Sequence, residues 1–566
     1  MNSLNRMCEN NAVENFIQGT FWRSRLCERR GKTVIPIFLF FDDYEIGNAL
    51  GSRAGQHKLG AVYASIPCLP PCRASALKNI FLLLLFHSSD RVLFGNNIIF
   101  RCVIDELNYL SEHGIEFDLP VFKGIIYFEL GLILGDNLGI HAITGFVESF
   151  SANYSCRICK VSKQVLRSQC IENKDILRNF ENYQNDLLCI NPSETGIKEK
   201  CIWLDVIDFD LFNQVGVDCM HDILEGVAKY VMQFVLLQCI RRFKFFTLTQ
   251  LNNKIHAFEY GPDCRNQPCS FSMENLIRSN VRQSASEMLT LLRYFGLLVG
   301  ESVPRENEIW DLYLKLRIVL EIILSSAFAR GTGELLQTAV KDLNTLYLSL
   351  TKDSLKPKFH NLIHYHTALE KYGPIVSLWC MRFEAKHRVF KMASNVSCNR
   401  KNITLSLTTK HQLQLNELFL TGKLPDTLRT GPAVRVSYND SDIKQLILST
   451  MQLCDDRPLV HVTWATVSST RYVKGTILIY DTNTNDSLPE FLRVNNVYLY
   501  DSNDLIFVGT LMQTLRFDDH FFAYEVGETE TNQNVIKRYK SLVSPIPCNI
   551  NVLNNGKKYI TVRCAL

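Results

Sequence analysis

The run Val34 to Phe41 is apolar, rich in β-branched and aromatic residues, and stops abruptly at two acids, Asp42 and Asp43. That pattern predicts a buried strand, and a buried strand needs neighbours. A second strand fits Leu59 to Ile66, followed by a Pro/Cys turn at Cys68 to Cys72, and a third fits Ile80 to Phe86. Asn97 to His113 then carries Ile98, Ile99, Val103, Leu107 and Leu110 at helical spacing and closes on Gly114. A fourth strand, Ile126 to Leu134, runs into Gly135-Asp136. The order is β-β-β-α-β, with an acid at the end of the first strand and another at the end of the fourth.

From residue 160 to 355 the texture is helical. His221 to Arg241 carries Val227, Tyr230, Val231, Phe234 and Val235; Met273 to Leu298 and Trp310 to Leu350 follow, the last broken at Gly331 and Gly333. After Lys356-Pro357, Ile375 to Phe390 reads as a strand and then a helix that carries Glu384. Beyond Leu428 short alternating strands are expected at Val434–Ser437, Leu459–Trp464, Gly475–Tyr480, Arg493–Tyr500, Leu505–Gln513, Phe521–Val526 and Tyr559–Val562. Five segments result: a short N-terminal piece (1–33), the first part of an α/β core (34–159), an all-helical block (160–355), the last part of the core (356–427) and a β-rich C-terminal domain (428–566). No repeat or low-complexity tract interrupts them.

With 566 residues, 46% of them apolar, the chain can bury full cores in several domains. The 61 Lys and Arg against 57 Asp and Glu leave a net charge of +4, which excludes a polybasic protein and confines any nucleic-acid affinity to a local patch. Nineteen cysteines, an odd count with no secretory leader ahead of them, point to a reducing compartment and mostly core thiols. The longest apolar stretch, Ile80 to Phe86, is far below the ~20 residues of a membrane span, so no membrane is expected.

Asp42, Asp136 and Glu384 stand out by position. Singly, each could be a solvated acid. Together, at strand ends and on a packing helix, they can converge on hard divalent cations such as Mg²⁺, and two such ions support phosphoryl transfer. Cys156-Arg-Ile-Cys159 has the spacer of a zinc knuckle, and His360 and His364 can present both rings on one helical face. Either pair could equally be core. Their placement, after Asp136 and before Glu384, favours a Cys₂His₂ zinc that ties the two segments together across the helical block.

Six motifs stand together in order: Phe41-Asp42-Asp43-Tyr44-Glu45 with Asn48-Ala-Leu-Gly51, Gly135-Asp136, Cys156 to Cys159, Asp218-Cys-Met-His221-Asp-Ile-Leu-Glu225-Gly226-Val, Lys358-Phe-His360 to His366, and Arg382-Phe-Glu384-Ala-Lys-His387. In these the chain resembles a DDE-type DNA transposase of the CACTA/En-Spm-related group, similar in layout to the V(D)J recombinase core. The resemblance implies an RNase H-like mixed sheet interrupted by a large all-α insertion. It makes Asp42, Asp136 and Glu384 the catalytic triad, with Asp42 chosen over Asp43 because the family's acid follows the strand directly. It implies two Mg²⁺ or Mn²⁺ ions, DNA as substrate, a homodimer or higher oligomer, and a place in the nucleus. Asp218-x-x-His221 matches a short motif of those insertions: His221 would touch DNA or support the active site, while Asp218 as a helix cap explains the same residues locally. Lys386, Arg388, Lys391, Arg400 and Lys401 follow Glu384 and could hold phosphates, or form an exposed basic helix face. Relatives carry a zinc-finger-like region ahead of the core; here about thirty residues precede the first strand, which implies a truncated or domesticated copy.

Overall fold

The structure is a computed structural model that describes residues 12–29, 31–47, 57–74, 76–396, 401–422, 428–435, 441–453, 458–482, 488–501, 503–528 and 534–563. The fold is mixed α/β. Contacts divide the chain into two compact units, Met1–Val231 with Ile318–Thr421, and Met232–Arg317 with Gly422–Leu566. The helical block expected from 160 to 355 is thus shared between the two units.

In the first unit, β1 (Ala12–Val13) pairs with β7 (Phe328–Ala329). The main sheet contains β2 (Thr33–Glu45), β3 (Lys58–Ser65), β4 (Phe81–His87), β5 (Ile115–Leu119) and β6 (Phe122–Gly135), in the order β4-β3-β2-β6-β5. β2 and β6 run parallel; every other pair is antiparallel. A further stretch at Gln214–Gly216 runs beside the end of β6, bonded to Ile133 through its carbonyl and amide. β5 escaped the sequence reading because its Ile-Glu-Phe-Asp-Leu pattern is mostly exposed and pairs only as a hairpin on β6.

The central strand β2 is buried on both faces from Phe38 to Phe41, which is why its sequence is a continuous apolar run rather than an alternation. The helix Ser88–Glu112 starts earlier than Asn97 and turns at Gly95, whose φ of 77° only glycine adopts readily. Its inward stripe is Phe100, Val103, Ile104 and Leu107, while Ile98 is exposed. Ile375–Leu378 is a single 3₁₀ turn rather than a strand, followed by the Met381–Val396 helix. The Met273–Leu298 stretch forms two helices, Met273–Ile277 and Ala285–Val299. Among the described residues one helical segment, Met220–Arg242, is long and apolar enough to cross a membrane, yet more than half of it is buried in the protein, as Ile223, Leu224, Val227 and Val231 show.

The second unit contains β8 (Leu428–Thr430), β9 (Ala433–Arg435), β10 (Leu459–Val462), β11 (Trp464–Val467), β12 (Thr470–Val473), β13 (Ile477–Thr482), β14 (Pro489–Tyr500), β15 (Asp504–Asp518), β16 (Ala523–Glu528), β17 (Asn534–Arg538), β18 (Ser544–Val552) and β19 (Lys558–Thr561). The antiparallel pairings β13-β14-β15-β16-β19-β18-β13 close a ring. Ile477, Phe491, Met512, Val526, Cys548 and Ile560, one from each strand, meet in a single buried cluster, the filled interior expected of a small barrel. The 232–317 helices pack within this unit: the Trp310 indole donates to His520 O at 2.9 Å, and Arg293 and Arg563 both pair with buried Asp263.

Candidate functional site

Period-two alternation along β2 sorts the two acids. Phe41 points to the side of Phe86 and Phe100, where the Ser88–Glu112 helix lies, and Asp43 shares that face. Its Oδ1 accepts a hydrogen bond from the Ser88 hydroxyl at 2.7 Å, and Lys58 and Arg91 stand 3.9 Å from its Oδ2. Phe40 points the other way and stacks on Phe383 at 4.5 Å and 4°. Asp42 therefore faces the Met381–Val396 helix, which carries Glu384.

The parallel register brings the second acid alongside. Phe41 pairs with Gly135 at the last rung of the β2/β6 ladder, so Asp42 lies level with Asp136, which follows β6 directly. β2 itself does not end at its first acid, as the sequence suggests, but runs on to Glu45, with Asp42 paired opposite Ala61 of β3. Asp136 caps the Asn137–Thr144 helix, its Oδ1 accepting from Gly139 N. A side chain on residue 139 would meet that oxygen at 2.8 Å, which explains the glycine. Burial, opposed by the Gly139 hydrogen bond and reinforced by the charge of Asp42, raises the Asp136 carboxyl above its usual range.

Glu384 completes the group. Burial raises its carboxyl to about 7, with His221 opposing and the charges of Asp42 and Asp218 adding to the rise. His221 stands between acids, its Nδ1 bonded to Asp218 Oδ2 and its Nε2 3.6 Å from Glu384 Oε1. Burial alone would lower its pKa, but Asp218, Glu384 and Asp136 hold it up to about 9, so the ring is a cation amid carboxylates. Asp218 also accepts from Met220 N and Cys380 N at 3.0 and 3.1 Å. It caps one helix and pins the start of another, so the local capping role expected of Asp218 is present, and the same carboxylate holds the His221 ring. With Cys380, Asp218 and His221 form a close trio, but Asp218 already spends its oxygens on these hydrogen bonds.

Cys156, Cys159, His360 and His364 are all buried and their ligand atoms lie within 4.8 Å of one another, a cluster able to hold a metal ion. Cys156 Sγ is 3.6 Å from His364 Nε2, Cys159 Sγ is 3.3 Å from His360 Nε2, and the two Nε2 atoms are 3.3 Å apart. Tetrahedral bonds of about 2.3 Å to sulfur and about 2.0–2.1 Å to nitrogen imply edges of roughly 3.6 Å (S–N) and roughly 3.3 Å (N–N), so the donor set fits. Ile158 N and Cys159 N both donate to Cys156 Sγ. Burial works against a charged thiol here, yet the Cys159 hydrogen bond and the two imidazoles hold Cys156 well below the ordinary range.

Glu172, absent from the sequence reading, receives His364 Nδ1 on Oε1 at 2.5 Å and the Thr367 hydroxyl on Oε2 at 3.2 Å. Arg157, inside the Cys-x-x-Cys turn, donates to Asn137 Oδ1 and Gly216 O, both at 2.7 Å. Asn361 and Asn137 meet on Asp222 Oδ1, and Lys358 Nζ donates to His221 O at 2.7 Å. Both halves of the Cys/His cluster are thus bonded to residues adjoining Asp136 and His221.

The basic residues separate. Lys386 is 4% exposed, its ammonium donating to Leu77 O at 2.9 Å, and burial lowers its pKa to about 8. It is a core residue of the helix rather than a phosphate contact. Arg388, Lys391 and Lys401 are exposed, and Lys391 lies 5.7 Å from the centre of the Tyr44 ring. Arg400 and the Asn48-to-Gly51 stretch lie outside the described residues. His387 bonds to Asp42 through Nε2 at 3.0 Å; its place three residues after Glu384, on the same helical face, was the available signal. Comparison with models of protein families found none that matches the chain, and comparison with curated proteins also found no match.

Proposed function

We propose that the first unit is an RNase H-like core and that the protein performs transposase-like DNA cleavage and strand transfer. The observation that carries this is the convergence of Asp42, in β2 just past its last rung with parallel β6, and Asp136, just after β6, with Glu384 on the helix packed over β2. Two Mg²⁺ or Mn²⁺ ions held by these carboxylates would supply a nucleophile at neutral pH and stabilise the leaving oxygen. The partly exposed oxygen donors suit such hard cations. In the first step water oxygen bonds to phosphorus and the P–O3′ bond breaks, leaving a 3′-hydroxyl. In the second, that hydroxyl attacks a phosphate of the target strand in the same way.

The Cys₂His₂ cluster is assigned to Zn²⁺, with Glu172 orienting His364. Its task is positional, because Arg157, Asn361 and Lys358 lead from it to Asn137, Asp222 and His221. The test is to incubate the protein with Mg²⁺ or Mn²⁺, a duplex carrying a labelled 3′-end and a supercoiled plasmid. Transfer of label to the plasmid is expected. Cutting without joining would make the protein a nuclease, and binding with neither would make it a DNA-binding relative that has lost catalysis.

A further inference from the structure

His387 is 3% exposed and held on several sides. Its Nδ1 lies 2.9 Å from the Tyr63 hydroxyl and its Nε2 lies 3.0 Å from Asp42 Oδ2. Tyr44 stacks on the ring at 4.1 Å and 23°, and the rings of Tyr63 and Phe40 close in at 5.3 and 6.2 Å. A carboxylate only accepts, so Nε2 is the donor to Asp42. In the neutral ring Nδ1 is then the acceptor, and the Tyr63 hydroxyl supplies its proton. Burial pushes the Tyr63 phenol far up, so that proton stays in place.

Asp42 is gripped at both oxygens, since Oδ1 accepts from the Asp43 amide at 2.7 Å. One donor on each oxygen fixes the plane of the carboxylate and leaves a second lone pair on each for a cation. We propose that His387 is the positioning residue for Asp42, so that a single helix supplies both the third carboxylate and the clamp on the first. This rests on the assignment of Asp42, Asp136 and Glu384 as ligands for divalent cations. Docking of the helix by the Phe40–Phe383 stack then assembles the site in one event: it brings in Glu384 and orients Asp42 together. A histidine that merely filled the core would affect stability and leave the cation affinity of the folded protein unchanged.

The experiment is a Mn²⁺ titration of the full chain followed by electron paramagnetic resonance. Wild type, Asp136→Asn, His387→Ala, His387→Gln and Tyr63→Phe are compared, each with its unfolding midpoint. Asp136→Asn is expected to weaken binding. His387→Ala is expected to weaken it roughly tenfold to a hundredfold, the usual range for an outer partner of a metal ligand. His387→Gln, whose amide can still donate to Asp42, is expected to recover most of that loss, and Tyr63→Phe to lose affinity severalfold with the ring still packed. Wild-type affinity in folded His387→Ala overturns the clamp; if that variant does not fold, wild-type affinity in Tyr63→Phe does so. Absence of any Mn²⁺ binding that Asp136→Asn weakens overturns the cation assignment itself, and the clamp falls with it.

Discussion

Asp136 uses one carboxylate for two purposes, capping a helix at Gly139 N and facing Asp42 and His221. Asparagine caps as well as aspartate but brings no charge. Asp136→Asn is therefore expected to unfold within a few degrees, roughly, of wild type, while DNA cleavage falls below detection; calorimetry and a nicking assay read the two effects separately. His141, on the same helix, responds to acid. Burial, aided by the charge of Arg157, lowers its pKa to about 4, and its Nδ1 lies 2.7 Å from Val147 O. Between the ordinary value of 6.5 and 4 the folded state binds fewer protons than the unfolded state, so stability is fully present above 6.5 and is lost as pH falls through that window. The loss is worth about 3 kcal/mol. In urea titrations at pH 7 and pH 5, His141→Asn, which keeps a donor for Val147, should lose correspondingly less stability than wild type.

The Met381–Val396 helix and the Cys/His cluster are the elements on which the site depends. Phe383→Ala removes the stack on Phe40 and should cost about 3–5 kcal/mol, and it should lower activity further than a Glu384-distant core substitution of equal cost. Glu172→Gln weakens the acceptor for His364 and should speed zinc loss to a chelator, with affinity down roughly tenfold to a hundredfold. Much of this was legible in sequence because it followed local rules: β2, β3, β4 and β6 came from apolar runs, and the Cys-x-x-Cys and His-x-x-x-His pairs from spacing. In sequence Asp42 is preferred to Asp43 only through the family likeness; that Asp42 faces the Met381–Val396 helix and Asp43 the Ser88–Glu112 helix depends on which helix covers which face of β2, and that is tertiary. Glu172 gave no signal, since only packing brings it to His364. Lys386 misled because a basic run does not say which members point inward.

At the scale of the chain, the first unit is built from sequence-distant pieces, Met1–Val231 and Ile318–Thr421, whose strands supply two acids and whose helix supplies the third. Full zinc loading should give about one ion per chain, and its removal should reduce activity even in excess Mg²⁺, because Arg157 and Asn361 would lose their fixed positions beside Asn137 and Asp222. The second unit, with its closed ring of six antiparallel strands, contributes none of the three acids. The most direct measurement is the rate at which purified protein nicks supercoiled plasmid in Mn²⁺, compared between wild type and Asp136→Asn. Nicking by wild type that stops in a chelator and is absent from the variant is expected. A variant that nicks at the wild-type rate, or wild-type nicking that survives the chelator, would contradict the assignment of Asp42, Asp136 and Glu384 to metal-dependent phosphoryl transfer.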